Sequence, residues 1–412
     1  MVERQNYPTG WKSRLVSLFP AACFALLAAD SSFGQAAPIP EYVAALVPFE
    51  VARLDGNLAP ANGNISMQDI TPAEWLASDP GNSGLGGVIT AWNGGAKSVG
   101  EKLFVHGGGH TDSANNGIYI YDFSGTSRPT GWTTPLLISS VSAVRSNNAT
   151  YSDGLPTAVH TYDGLVHATH NNHLYRFGGS QYNNGFMEGR PFKYSVSGNR
   201  WTRLPNYPSN NGGAKTLYDP ATGKIFVTMN DALEGHFFRT DSETWSGSKG
   251  YSGNGFPFNA FGVWDTSRNR GLIIGDGERS LVDIDFENET VSVSGISVSG
   301  ASGILGSSGI SAVYDPVADI YWIFGGGTSS SGWSNLYRLN ADGPPWTMQS
   351  VSFTGSQIER TRGMIGSWGR FVFMPAWRAI GVIASETSPA FIIRLPGEAA
   401  PSPEPPTDLR AN

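Results

Sequence analysis

Apolar and aromatic residues in this chain come in short runs, and Gly, Asn, Asp and Pro punctuate them. Residues 102–123 are the plainest case, reading KLFVHGGGHTDSANNGIYIYDF. Leu103-Phe104-Val105 and Ile118-Tyr119-Ile120-Tyr121 flank a loop of three glycines, His110, Asp112, Asn115 and Asn116. Runs rich in β-branched and aromatic residues, bounded by Gly and Asn, predict two strands joined by a loop. The glycines let the backbone turn sharply and approach a neighbour closely.

The same unit returns along the chain. Leu217-Tyr218-Asp219-Pro220 leads through a turn into Ile225-Phe226-Val227, Val263-Trp264-Asp265 into Leu272-Ile273-Ile274, and Val313-Tyr314-Asp315 into Tyr321-Trp322-Ile323-Phe324. Aspartate suits the turn because its carboxylate can bond the backbone two residues on. A third run follows each of these, and a fourth often opens on tryptophan: Trp132, Trp201, Trp245 and Trp346. Four antiparallel strands recurring about every 50 residues predict the blades of a β-propeller. Second strands near residues 103, 174, 224, 272, 321 and 380 give six blades, and the interval 133–160 leaves room for a seventh. The last unit lacks a fourth strand, while residues 47–54 hold one to spare. An N-terminal strand that completes the last blade would close the ring and cover its edges.

Phe104-Val105-His106-Gly107-Gly108-Gly109, Phe177-Gly178-Gly179 and Phe324-Gly325-Gly326-Gly327, each with a downstream tryptophan, resemble kelch repeats. The resemblance implies a kelch-type propeller over residues 38–396, similar to the central domain of galactose oxidase. That enzyme's copper site is not implied, because it needs a cysteine cross-linked to tyrosine. A weaker similarity, in type only, runs to propeller polysaccharide lyases that use His, Tyr and Arg.

Composition narrows the class further. The formal charge of −7 and pI near 5.5 lack the basic footprint that nucleic acid needs. Arg4, Lys12 and Arg14 precede an apolar run at 15–29 and small residues to Ala37, so residues 1–37 read as a secretory signal peptide, too short in its apolar run for a membrane span. The single cysteine, Cys23, falls inside it. The mature chain is then free of cysteine, which excludes disulfides and thiolate catalysis. Residues 397–412 are a Pro-rich tail. A secreted monomer, extracellular or periplasmic, is expected.

Seven histidines lie between residues 106 and 236. His106, inside a strand, reads as a core histidine bonded to a carbonyl. In a propeller, the loops after second strands and the segments leading into first strands share one face. That rule gathers His110, His160, Tyr162 and Arg362 as catalytic candidates. Asp112, Asn115, Tyr182, Arg190 and Trp333 become substrate-contact candidates. β-Elimination of a uronic-acid glycan needs a base, an acid and a donor to the carboxylate, roles open to His, Tyr and Arg. The expectation is therefore a secreted carbohydrate-active propeller, a candidate polysaccharide lyase with no metal and no cofactor. A non-catalytic propeller that binds a glycan or a protein is the alternative, and a His-dependent metalloenzyme the second.

Overall fold

The computed structural model describes residues 38–397 except 91, 98–99, 147, 186–188, 209–211, 328–330 and 361–364. The expected signal peptide at 1–37, all of the expected tail beyond Gly397, and Arg362 lie outside the described residues. The described chain is all-β in its architecture, with six small sheets forming a six-bladed propeller. No helix among the described residues is long and apolar enough to cross a membrane.

Blade 1 contains Gly94–Gly95, Lys102–His106, Tyr119–Asp122 and Gly131–Trp132, and blade 2 contains Leu165–Ala168, His173–Arg176, Phe192–Ser195 and Arg200–Arg203. Blades 3 to 5 open on Ala214–Asp219, Phe261–Asp265 and Ser311–Asp315. These first strands pack beside one another around the axis. Blade 6 contains Phe371–Met374, Ala379–Val382 and Phe391–Arg394, and the N-terminal strand Glu50–Arg53 adds beside Phe391–Arg394, with the short parallel strand Thr354–Gly355 at the edge outside it. Val51 pairs with Ile393, Ala52 with Ile392 and Arg53 with Phe391, so the first and last strands of the described chain share one sheet and shut the ring. The interval 133–160 adds no seventh blade. It holds a short 3₁₀ turn, Val141–Ala143, and the strand Val159–His160, which among the described residues pairs only with Ser180–Gln181.

Local chemistry accounts for the repeat. The Asp219 carboxylate accepts from Ala221 N at 3.2 Å, Asp265 from Ser267 N at 2.9 Å and Asp315 from Val317 N at 3.1 Å, each closing the turn between first and second strands. Tryptophans of the fourth strands pack across the blade: Trp132 stands edge-on to Tyr121 at 5.3 Å and Trp245 lies 4.8 Å from Phe238. Blade 4 has no such tryptophan, and its outer strand Thr290–Gly295 is mostly exposed.

Near the axis, below the face that carries the long loops, Lys97 Nζ meets Asp163 Oδ2 at 2.7 Å and also donates to Thr216 O. Asp163 Oδ2 accepts from Gly262 N at 2.9 Å as well. One carboxylate thus ties blades 1, 3 and 4 to the segment entering blade 2. Burial raises the Asp163 carboxyl to about 6 and lowers the Lys97 ammonium, with the pair's mutual attraction opposing both shifts.

Candidate functional site

A cavity of about 340 Å³ opens at this face, lined by Trp92, His110, His160, Tyr162, Phe258 and Asn259. That lies at the small end of the range for small-ligand clefts, roughly 300–1,000 Å³. Its residues come from four places in the chain. His110 follows the second strand of blade 1, while Trp92, His160 with Tyr162, and Phe258 with Asn259 lead into blades 1, 2 and 4.

The fold puts them there at a cost in backbone conformation. Trp92, His110 and Tyr162 have φ of +40°, +44° and +48°, and Trp368, packed edge-on to Tyr162 at 5.9 Å, has +45°. Side chains of this size rarely adopt the left-handed region, and each instance costs on the order of 1–3 kcal/mol. The surrounding contacts hold the conformation. Tyr162 N donates to Trp92 O at 2.8 Å, and a Cβ on Gly94 would strike the Trp368 carbonyl. Asn93, wholly buried, stitches the pieces together. Its Nδ2 donates to Gly87 O at 2.6 Å and Gly108 O at 3.0 Å, and its Oδ1 accepts from Thr161 N at 3.3 Å. The glycine loop allows the approach, since a Cβ on Gly109 would overlap the backbone of His160 and Ser180.

At the centre, His160 Nε2–H donates to Asp112 Oδ2 at 2.7 Å. A carboxylate only accepts, so the proton sits on Nε2 and the neutral ring carries its lone pair on Nδ1. Nδ1 has no hydrogen-bond partner among the described residues. Burial lowers the His160 pKa, the bond and charge of Asp112 oppose this, and His110 lowers it further. His160 is therefore neutral at neutral pH, and its contact with Asp112 is a charge-assisted hydrogen bond. The His110 ring stacks on His160 with centroids 5.6 Å apart and 26° between planes, and Trp92 lies 5.3 Å away, tilted against the His160 ring. Tyr162 stands edge-on to His160 at 6.1 Å and to Phe258 at 5.2 Å. Burial first, and the Asp112 charge next, raise the Tyr162 phenol, so it keeps its proton at neutral pH.

Of the residues expected from sequence, His110, His160, Tyr162 and Asp112 come together here. The others lie elsewhere. Asn115 is wholly buried beneath the loop, where its Nδ2 donates to Tyr119 OH at 2.7 Å and its Oδ1 accepts from Gly117 N. Tyr182 packs into an apolar cluster with Trp75, Ala114, Ala143, Tyr151 and Ala158. Trp333 is 3% exposed and packs edge-on to Phe324 at 5.1 Å. Arg190 is half-buried and does not line the cavity. Trp92 and Trp368 were not anticipated; Phe258 and Asn259 lie in a segment entering a first strand, which the shared-face rule puts at this mouth, but they were not among the named candidates. No Lys or Arg lines the cavity among the described residues, and no group of three or more His, Cys, Asp or Glu is arranged there to hold a metal ion. Compared with known proteins, the chain matches no family model and no curated protein.

Proposed function

We propose that this protein is a secreted, kelch-type carbohydrate-active propeller, a polysaccharide lyase that cleaves uronic-acid glycans by β-elimination with His160 as base. One observation carries the reading: Asp112 fixes the proton on Nε2 of a ring that lines an aromatic-walled cavity, which leaves Nδ1 as a basic nitrogen. In the proposed step, Nδ1 takes the proton α to the uronate carboxylate and the electron pair forms the new carbon–carbon double bond. The carbon–oxygen bond at the β carbon breaks, and the leaving oxygen takes the Tyr162 phenol proton. His110 offers an N–H donor to the carboxylate. Trp92 and Phe258 supply faces on which pyranose rings stack.

The aromatic wall also favours a second reading, a glycan-binding propeller without turnover. A panel of uronic-acid polysaccharides, followed by the ultraviolet absorbance of the unsaturated product, separates the two. Absorbance that rises with wild type and not with His160→Gln supports the lyase. Binding without any rise across the panel leaves only the glycan-binding reading standing.

A further inference from the structure

Residues 54–93 connect the ring-closing N-terminal strand to the first strand of blade 1, and part of this stretch lies against the loop that carries Asp112. It includes the helices Met67–Ile70 and Ala73–Ser78 and a 3₁₀ turn, Gly84–Val88. Trp75, 1% exposed, anchors the second helix by donating Nε1–H to Ser139 O at 2.7 Å.

From that anchor, residues 79–83 bond to four consecutive residues of the Asp112 loop. Asn82 N donates to Thr111 O and Ser83 N to Asp112 O, both at 2.8 Å. Asp79 Oδ2 accepts from Ser113 Oγ at 2.5 Å, and its Oδ1 accepts from Ala114 N at 3.0 Å and from Gly81 N at 2.9 Å. The two chains run so close that a Cβ on Gly81 would overlap the Asp112 carbonyl, and one on Gly87 would sit 2.7 Å from it. Ser83 also reaches the carboxylate itself, with Oγ donating to Asp112 Oδ1 at 3.3 Å. Both oxygens of Asp112 are thus used, one by His160 and the other by Ser83.

We infer that residues 79–87 are the positioning device of the site: Asp79 and Ser83 aim the Asp112 carboxylate at His160 and so set which ring nitrogen is basic. Neither residue lines the cavity, so both act through Asp112. The inference rests on the proposed role of His160 for its catalytic meaning, but its geometric claim concerns the ring's protonation and can be read without turnover.

The experiment is a histidine-detected NMR titration of the full chain as wild type, Ser83→Ala, Ser83→Thr and Asp79→Ala. Asp112 raises the His160 pKa, so loosening the pair lowers it. Ser83→Ala and Asp79→Ala are expected to shift the His160 midpoint downward by up to about one unit and to reduce the Nε2–H tautomer, with Ser83→Thr near wild type. On a turned-over substrate, kcat falls and KM holds. A His160 midpoint and tautomer unchanged in both alanine variants overturns the inference, whether or not the lyase assay succeeds. Ser83 is exposed, so its variant remains informative if Asp79→Ala fails to fold. An assay blank with the tautomer shift intact would count against the lyase reading alone.

Discussion

His106 and His160 are one residue type in two electrostatic settings. Both are buried, at 0% and 2% exposure, and both have depressed pKa values. His106 Nδ1–H donates to Gly117 O at 3.2 Å, and its Nε2 accepts from Arg176 Nη1 at 3.3 Å. A guanidinium only donates, so the His106 lone pair is already engaged, and a second proton would set a cation against Arg176. His160 has the reverse arrangement: its partner only accepts, the proton is held, and no donor among the described residues engages the lone pair. Burial alone does not tell a structural histidine from a chemical one. The sign of its neighbour, and whether the remaining nitrogen is occupied, set what each ring is free to do.

The largest expected effects test that contrast directly. If His160 is the proposed base, His160→Gln should lower kcat by about 10²–10⁴-fold, the usual worth of a positioned base, while the melting temperature barely moves. His106→Ala should do the opposite. It removes one of the acceptors that Arg176 uses inside the protein, a loss of about 1–3 kcal/mol read by denaturant unfolding, with kcat per folded molecule retained. A His160 variant that unfolds, or a His106 variant that is stable and inactive, would dissolve the distinction.

Acid sharpens it at smaller scale. Burial first, and the Arg176 charge second, push His106 down to about 3 against the usual 6.5. The unfolded chain takes up that proton below about pH 6.5 and the folded chain does not. The stability His106 contributes is therefore fully present above pH 6.5 and is lost as pH falls toward 3. Melting curves across this window should show wild type losing more stability than His106→Gln, whose amide can bond both neighbours without titrating. Equal losses in the two proteins would mean that His106 is not held neutral.

How much of this was readable from sequence depends on the range of the interactions involved. The blades were legible because alternation and the turn aspartates are local: Asp219, Asp265 and Asp315 bond residues two positions on. The closing strand was legible because one blade lacked a strand and residues 47–54 had none to pair with. His110, His160, Tyr162 and Asp112 followed from the rule that certain loops share a face. The rest of the site depends on contacts between distant segments. Nothing around Asp79 or Ser83 signals that they meet residues 112–114, and left-handed φ values at Trp92 and Tyr162 belong to residue types that rarely adopt them. The loop aromatics Tyr182 and Trp333 look from sequence like ligand contacts, yet the structure leaves them 6% and 3% exposed, because neighbouring loops supply apolar partners that sequence does not reveal.

The smallest effect concerns tryptophan in the same two settings. Trp132 is wholly buried against Tyr121 in blade 1, whereas Trp92 is half-buried and lines the cavity. If the Trp92 ring serves as a stacking face, Trp92→Leu removes an interaction worth about 0.5–1.5 kcal/mol, which weakens glycan binding roughly 2- to 12-fold. Because the face contacts ground state and transition state alike, KM should rise while kcat holds. Trp132→Leu should leave glycan affinity alone and lower the melting temperature, since the lost volume opens a gap in a packed blade. Titration calorimetry of the two variants against one uronic-acid oligosaccharide decides it. Unchanged affinity in Trp92→Leu would mean that the aromatic wall supports His160, with its ring 5.3 Å from the imidazole, and does not bind sugar.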